Sequence, residues 1–209
     1  MTHGAKQDRK MKIRVSQFID FAYGDKRKDK AKVKGIIGDI DLPYDPAKDR
    51  YKQFREAMTS FEDKKLTAKQ FLTLYSSVSP NKSAGYKVLC ENYLDLKEDH
   101  ALIWQGRSAV EANISGLHIT TAWYLRTEAN NQRRIIFLHF GKEQLPRKKE
   151  RGLLTILRLA QPDSAGVGIL NIQPGTMITS TRLDQKEAEY LQERAAKFLA
   201  LAKILEAEG

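Results

Sequence analysis

"LHITTAWYLRTEANNQRRIIFLHF", residues 117 to 140, carries the choice between a helical and a mixed architecture. Apolar and polar residues alternate on both sides of the turn-forming segment "EANNQ", which is strand periodicity and predicts a hairpin. With the turn centred near Ala129 and Asn130, position 120 faces position 139. Leu117, Ile119, Trp123 and Leu125 then share an apolar face with Ile136, Leu138 and Phe140. The opposite face collects His118, Thr120, Tyr124 and Arg126 with Arg133, Phe137 and His139. Two imidazoles, a hydroxyl, a phenol and two guanidiniums on one sheet surface have the chemistry to bind or polarise a phosphate.

Around this hairpin the second half of the chain reads as further strands. "HALIWQG" and "RSAVEANI" precede it, while "GVGILNIQP" and "TMITSTRL" follow a helix at "PRKKERGLLTILRLA". A long helix then closes the chain, capped by Asp184 and Glu187. Its apolar stripe runs through Leu191, Ala195, Phe198, Ala202 and Leu205, widened by Leu201 and Ile204. The first half is mainly helical. "VSQFIDFAY" places Phe18, Phe21 and Ala22 on one face. Asp45 and Pro46 start a helix carrying Tyr51, Phe54, Met58 and Phe61. Thr67 and Gln70 form a capping box, and Ser79 with Pro80 opens a helix that turns Ala84, Val88, Leu89 and Tyr93 inward. The fold class is therefore α+β, with a mostly antiparallel sheet packed by the C-terminal helix. The expected division is a basic, mainly helical region over residues 1–98 and an α+β domain over 99–209.

Charge is distributed unevenly. The chain has 209 residues and a formal charge of +10, and residues 1–36 hold eleven Lys/Arg against four Asp/Glu. Six of those cations, Lys26, Arg27, Lys28, Lys30, Lys32 and Lys34, lie in "KRKDKAKVK". The alternation of Lys30, Lys32 and Lys34 with Ala31 and Val33 reads as a strand with one all-lysine face. A second cluster, Arg147, Lys148, Lys149 and Arg151, occupies the first turns of a helix, where positive charge opposes the helix dipole and favours a counter-anion. Lys48, Lys52 and Arg55 form a further basic stripe. This pattern predicts a polyanionic partner, either the backbone of DNA or RNA or an acidic protein. A partner protein or a second copy of the chain is a further expected contact.

Motifs for chemistry are sparse. "LHITTAW" resembles one half of the paired His-x-Thr signature of two-histidine phosphoesterases. His100 and His139, which begin "HALI" and "HFGK", do not supply the second half. In "QPDSAGVGILNIQ", Asn171 and Gln173 stand where a metal-dependent nuclease needs a carboxylate and a lysine. There is no phosphate loop, calcium loop, zinc spacing or serine-hydrolase motif. The expectation is a non-enzymatic nucleic-acid-binding or nucleoprotein accessory protein with no cofactor and no metal. The alternatives are a phosphoesterase or nuclease working through His118 and His139, and a structural subunit that binds another protein. The single cysteine, Cys90, excludes an internal disulfide. The N-terminus has no signal-peptide pattern and no apolar run is long enough to span a bilayer, so a cytoplasmic location without membrane contact is expected.

Overall fold

The computed structural model describes residues 10–40, 42–43, 45, 49–107, 109–121, 124–129 and 132–208. The fold is α+β, with two sheets. The smaller has three strands in the order β1 (Lys12–Arg14), β4 (Leu117–Thr121), β3 (Val110–Ile114). The larger has five, in the order β2 (Ile103–Arg107), β5 (Tyr124–Ala129), β6 (Gln132–His139), β7 (Gly166–Asn171), β8 (Thr176–Ser180). Pairing is mostly antiparallel, with parallel contacts of β1 to β4 and β6 to β7.

Local sequence explains the strands. In β3 and β4 every second residue is buried: Val110, Ala112 and Ile114, then Leu117, Ile119 and Thr121. Ser115 and Gly116 join them with φ of 50° and 88°, the left-handed pair that a two-residue hairpin needs to match strand twist. β7 is buried along its whole length, as befits a central strand covered on both faces.

Neighbouring residues of the larger sheet point into different cores. Ile135, Val167 and Ile169 join a core with α1 (Val15–Ala22), α6 (Arg147–Ala160) and α7 (Gln185–Glu208). That core also takes in the buried face of the three-stranded sheet. Ile136, Leu138, Leu170 and Ile172 join a second core with α3 (Lys52–Glu62), α4 (Ala68–Leu72) and α5 (Pro80–Asp99). Each core therefore uses residues from both sides of position 99. α6 connects β6 to its parallel neighbour β7, so its first turn lies at the carboxyl ends of both strands.

Helix grammar is partly as expected. Thr67 and Gln70 make the reciprocal capping box, Ser79 and Pro80 begin α5, and Asp184 Oδ1 accepts the Glu187 N–H at 3.1 Å. Four elements differ from expectation. Residues 29–40 form a helix, α2 (Asp29–Ile40), in place of the alternating strand. Val33 is buried, with Ile36, Ile37 and Ile40 packed beside it at helical spacing, and this outweighs a five-residue alternation. α3 begins at Lys52 with Tyr51 as its N-cap, while Pro46 lies outside the described residues. The inward stripe of α5 is Tyr86, Leu89, Cys90, Tyr93 and Leu96, leaving Ala84 and Val88 exposed. Ile204 is 49% exposed, because it falls off the stripe that Leu191, Ala195, Phe198 and Ala202 bury.

Candidate nucleic-acid interface

The basic residues of 26–34 start on a short 3-10 turn, Lys26–Lys28, and continue along α2. Asp25 caps the turn by accepting the Arg27 N–H at 3.1 Å, and it also pairs with the Arg27 guanidinium. These Arg27 hydrogen bonds hold the Asp25 carboxyl below its ordinary value. Lys30 and Lys34, four residues apart, share one flank of α2. Lys30 reaches Glu208 at 2.8 Å, whereas Lys34 is exposed and has no partner among the described residues. Lys32 occupies the other flank, where its ammonium donates to the Asp20 carbonyl at 3.1 Å.

Asp20 is the junction between the two clusters. Its carboxylate accepts from Lys149 Nζ at 2.6 Å, so residues 26–34 and 147–151 meet at the end of α1 although they are far apart in sequence. Arg151 bonds Glu187 and lies 3.8 Å from Asp184. Arg147 and Lys148 are exposed on the first turn of α6 and have no partner among the described residues. Pro146 at the N-cap has no side-chain acceptor for the N–H groups of that turn, and the turn's one acid, Glu150, is buried and accepts from Gln144 at 2.9 Å. Of the ten cations expected to bind, Lys28, Lys34, Arg147 and Lys148 have no carboxylate partner among the described residues, while Lys26 lies 5.9 Å above the Tyr190 ring. Arg27, Lys30, Lys32, Lys149 and Arg151 are committed to internal partners. In the further stripe, Arg55 is buried against Asp49, Lys52 sits 3.7 Å from Glu56, and Lys48 lies outside the described residues.

A buried polar framework, which sequence reasoning missed, holds this surface in place. Arg194 of α7 binds Asp29 through two nitrogens, each at 2.9 Å, donates to the Phe21 carbonyl at 3.0 Å and lies 4.3 Å from the Phe21 ring centroid. Lys197 adds a further cation to Asp29 at 3.1 Å. Two turns earlier on α7, Glu187 accepts from the Tyr23 hydroxyl and from Arg151. Burial, reinforced by the bond to Glu187, pushes the Tyr23 phenol well above its ordinary value. Tyr190 donates its hydroxyl to the Ala22 carbonyl at 2.5 Å. The signal that could have found this framework is that Glu187 and Arg194 interrupt the apolar stripe of α7 at buried positions.

The expected sheet-face cluster does not assemble. β4 pairs with β1 and β3, whereas β5, from Tyr124, belongs to the five-stranded sheet. His118 therefore lies on the outer face of the small sheet, with Nδ1 2.5 Å from Glu111 Oε1 and Lys12 at 2.7 Å from the other Glu111 oxygen. Thr120 donates to the Ile13 carbonyl at 3.3 Å. Tyr124, Arg126, Arg133 and His139 belong to the larger sheet, where Tyr124 pairs with Phe137, Arg126 with Ile135 and Glu128 with Arg133. His139 shares strand parity with Ile135 and so lies on the α6 side; its Nε2 donates to the Glu143 carbonyl at 3.1 Å. Burial holds the His139 imidazole below its ordinary value. The two imidazoles thus stand on different sheets, one facing outward and one facing α6. Among the described residues, no group of three or more His, Cys, Asp or Glu is gathered to hold a metal ion. Nor, among them, is any helix long and apolar enough to cross a membrane.

No protein-family model matches the chain, and no curated protein matches it. Among solved structures, one described as "Crystal structure of SSO0001" is similar over 95% of this chain and 79% of that chain, at 14% identity and a TM-score of 0.38. A likeness of that degree carries no argument.

Proposed function

We propose that the protein is a non-enzymatic nucleic-acid-binding or nucleoprotein accessory protein of the cytoplasm, gripping phosphates with the surface formed by the α1–α2 junction and the first turn of α6. The observation that carries this reading is the meeting of two basic clusters at Asp20, with Lys28, Arg147 and Lys148 exposed and without carboxylates among the described residues. Unspent cations beside an uncapped helix start supply charge and N–H donors together, the combination that phosphate oxygens take. Lysine and arginine grip the backbone of any sequence, so the expected binding is independent of sequence. The phosphoesterase alternative needed His118 and His139 on one surface to share acid and base roles, and their separation removes its support.

Affinity for generic DNA and RNA, measured across a salt series, tests the reading. On duplex DNA the log–log slope should fall by about 0.9 for each phosphate left unneutralised in a variant carrying glutamine at positions 28, 147 and 148. Glutamine at positions 30 and 32 should change the slope far less, because those ammonium groups already serve Glu208 and Asp20. Equal slopes for the parent and the threefold variant would reject the interface.

A further inference from the structure

The basic surface also presents an aromatic ring. Tyr190 is partly exposed on α7, and its hydroxyl bond to Ala22 pins one edge of the ring. Tyr23 lies beside it with centroids 5.5 Å apart and planes inclined at 44°, so the neighbouring ring supports Tyr190 without covering it face to face. The group over the Tyr190 face is the Lys26 ammonium, 5.9 Å from the centroid, carried by an exposed side chain. Lys186, one turn before Tyr190 on α7, is exposed and has no partner among the described residues.

We propose that the nucleic acid taken by this surface is single-stranded, with one base stacked on Tyr190 while Lys26 and Lys186 hold the flanking phosphates. The inference rests on the phosphate-binding reading and specifies its substrate. A pinned ring loses little freedom when a base settles on it, so most of the stacking energy is retained. Lys26 has only to swing from the ring face to a phosphate, exchanging one favourable contact for a stronger charge-assisted one. A duplex gains nothing from the ring, because its bases already stack on one another and present only edges and backbone. Stacking tolerates any base, which agrees with a surface built from lysine and arginine.

The test compares one oligonucleotide as a single strand and as a duplex, by fluorescence anisotropy at fixed salt. The single strand should bind more tightly. Tyr190→Leu should weaken single-strand binding about tenfold, the scale of one stacked base, and leave duplex binding and the salt slope unchanged. Tyr190→Phe should keep most of the single-strand affinity, since it retains the ring and gives up only the bond to Ala22 that pins it. Should Tyr190→Leu fail to fold, photo-crosslinking of a 5-iodouracil oligonucleotide to the parent protein still decides the matter, with the adduct expected on Tyr190. Equal or tighter duplex binding, an unaltered Tyr190→Leu affinity, or an adduct mapped only elsewhere overturns the stacking inference and leaves phosphate binding standing. Absence of binding to either form overturns both.

Discussion

Replacing Asp29 by asparagine removes the charge that α2 and α7 share while preserving the shape of the side chain. Arg194 is 1% exposed and Asp29 4%, so neither group can recover its hydration in the folded state. The variant amide keeps one acceptor for the guanidinium, and Arg194 retains the Phe21 carbonyl. Lys197 is half exposed and returns to water at small cost. What remains is a buried guanidinium without its counter-charge. Removing one partner of such a pair costs about 3–5 kcal/mol, and the surviving acceptors place this case near the lower end, about 3 kcal/mol. Denaturant unfolding followed by circular dichroism should show that loss with an unchanged m-value. Hydrogen exchange should speed up first in the α2 amides, which depend on the pair for docking. The effect also has a pH signature. Burial pushes the Asp29 carboxyl up, but the hydrogen bonds from Arg194 and Lys197 prevail and hold it below its ordinary value. The pair's contribution is therefore complete above the unfolded carboxyl value of about 3.9 and is lost as pH falls through the lower folded value. Parent and variant should converge over that acid range. A neutral-pH loss below about 1 kcal/mol would refute the claim that this pair anchors α2.

Two further perturbations probe the scaffold. Gly152→Ala in the middle of a helix ordinarily gains about 1 kcal/mol; here the added Cβ would lie 2.5 Å from Tyr23 Cζ and 2.6 Å from Cε2, so the ring and its bond to Glu187 must shift. Thermal melting should show a net loss of about 1–2 kcal/mol, and a gain would show that Tyr23 is free to move. Burial pushes the Cys90 thiol up to about 12, so a disulfide reagent at neutral pH should modify it only as fast as the protein unfolds. Rapid labelling of the native protein would contradict its burial.

The parts of this fold legible in the sequence are those written in adjacent residues. Thr67 with Gln70, Ser79 with Pro80 and Asp184 ahead of α7 each carry their cap within three positions, so local grammar finds them. Strand alternation in residues 110–121 is likewise complete in itself. The helix α2 hides behind an apparent strand because its deciding contacts, Val33 in the first core and Asp29 on Arg194, come from distant chain, while its lysines alternate by accident of composition. The hairpin expected over residues 117–140 forms only from Tyr124 onward, as β5 with β6, and residues 117–121 leave it for a related reason: periodicity gives each strand's faces but not which sheet it joins. β4 finds partners upstream in β1 and β3, and that choice separates His118 from His139. Both basic clusters are visible in the sequence. Their meeting at Asp20 is not, because a lysine's partner leaves no mark on its own neighbours.

The span between Asp29 and Arg194, 165 positions, bears on how the molecule is made. During synthesis α1 and α2 leave the ribosome well before α7, the helix that completes their core. The second core draws on nothing later than β8, so α3 to α5 can settle on the larger sheet while the basic N-terminal segment remains undocked. The basic surface thus acquires its final shape only once α7 has arrived, and until then a nascent chain carries its positive charge unshaped.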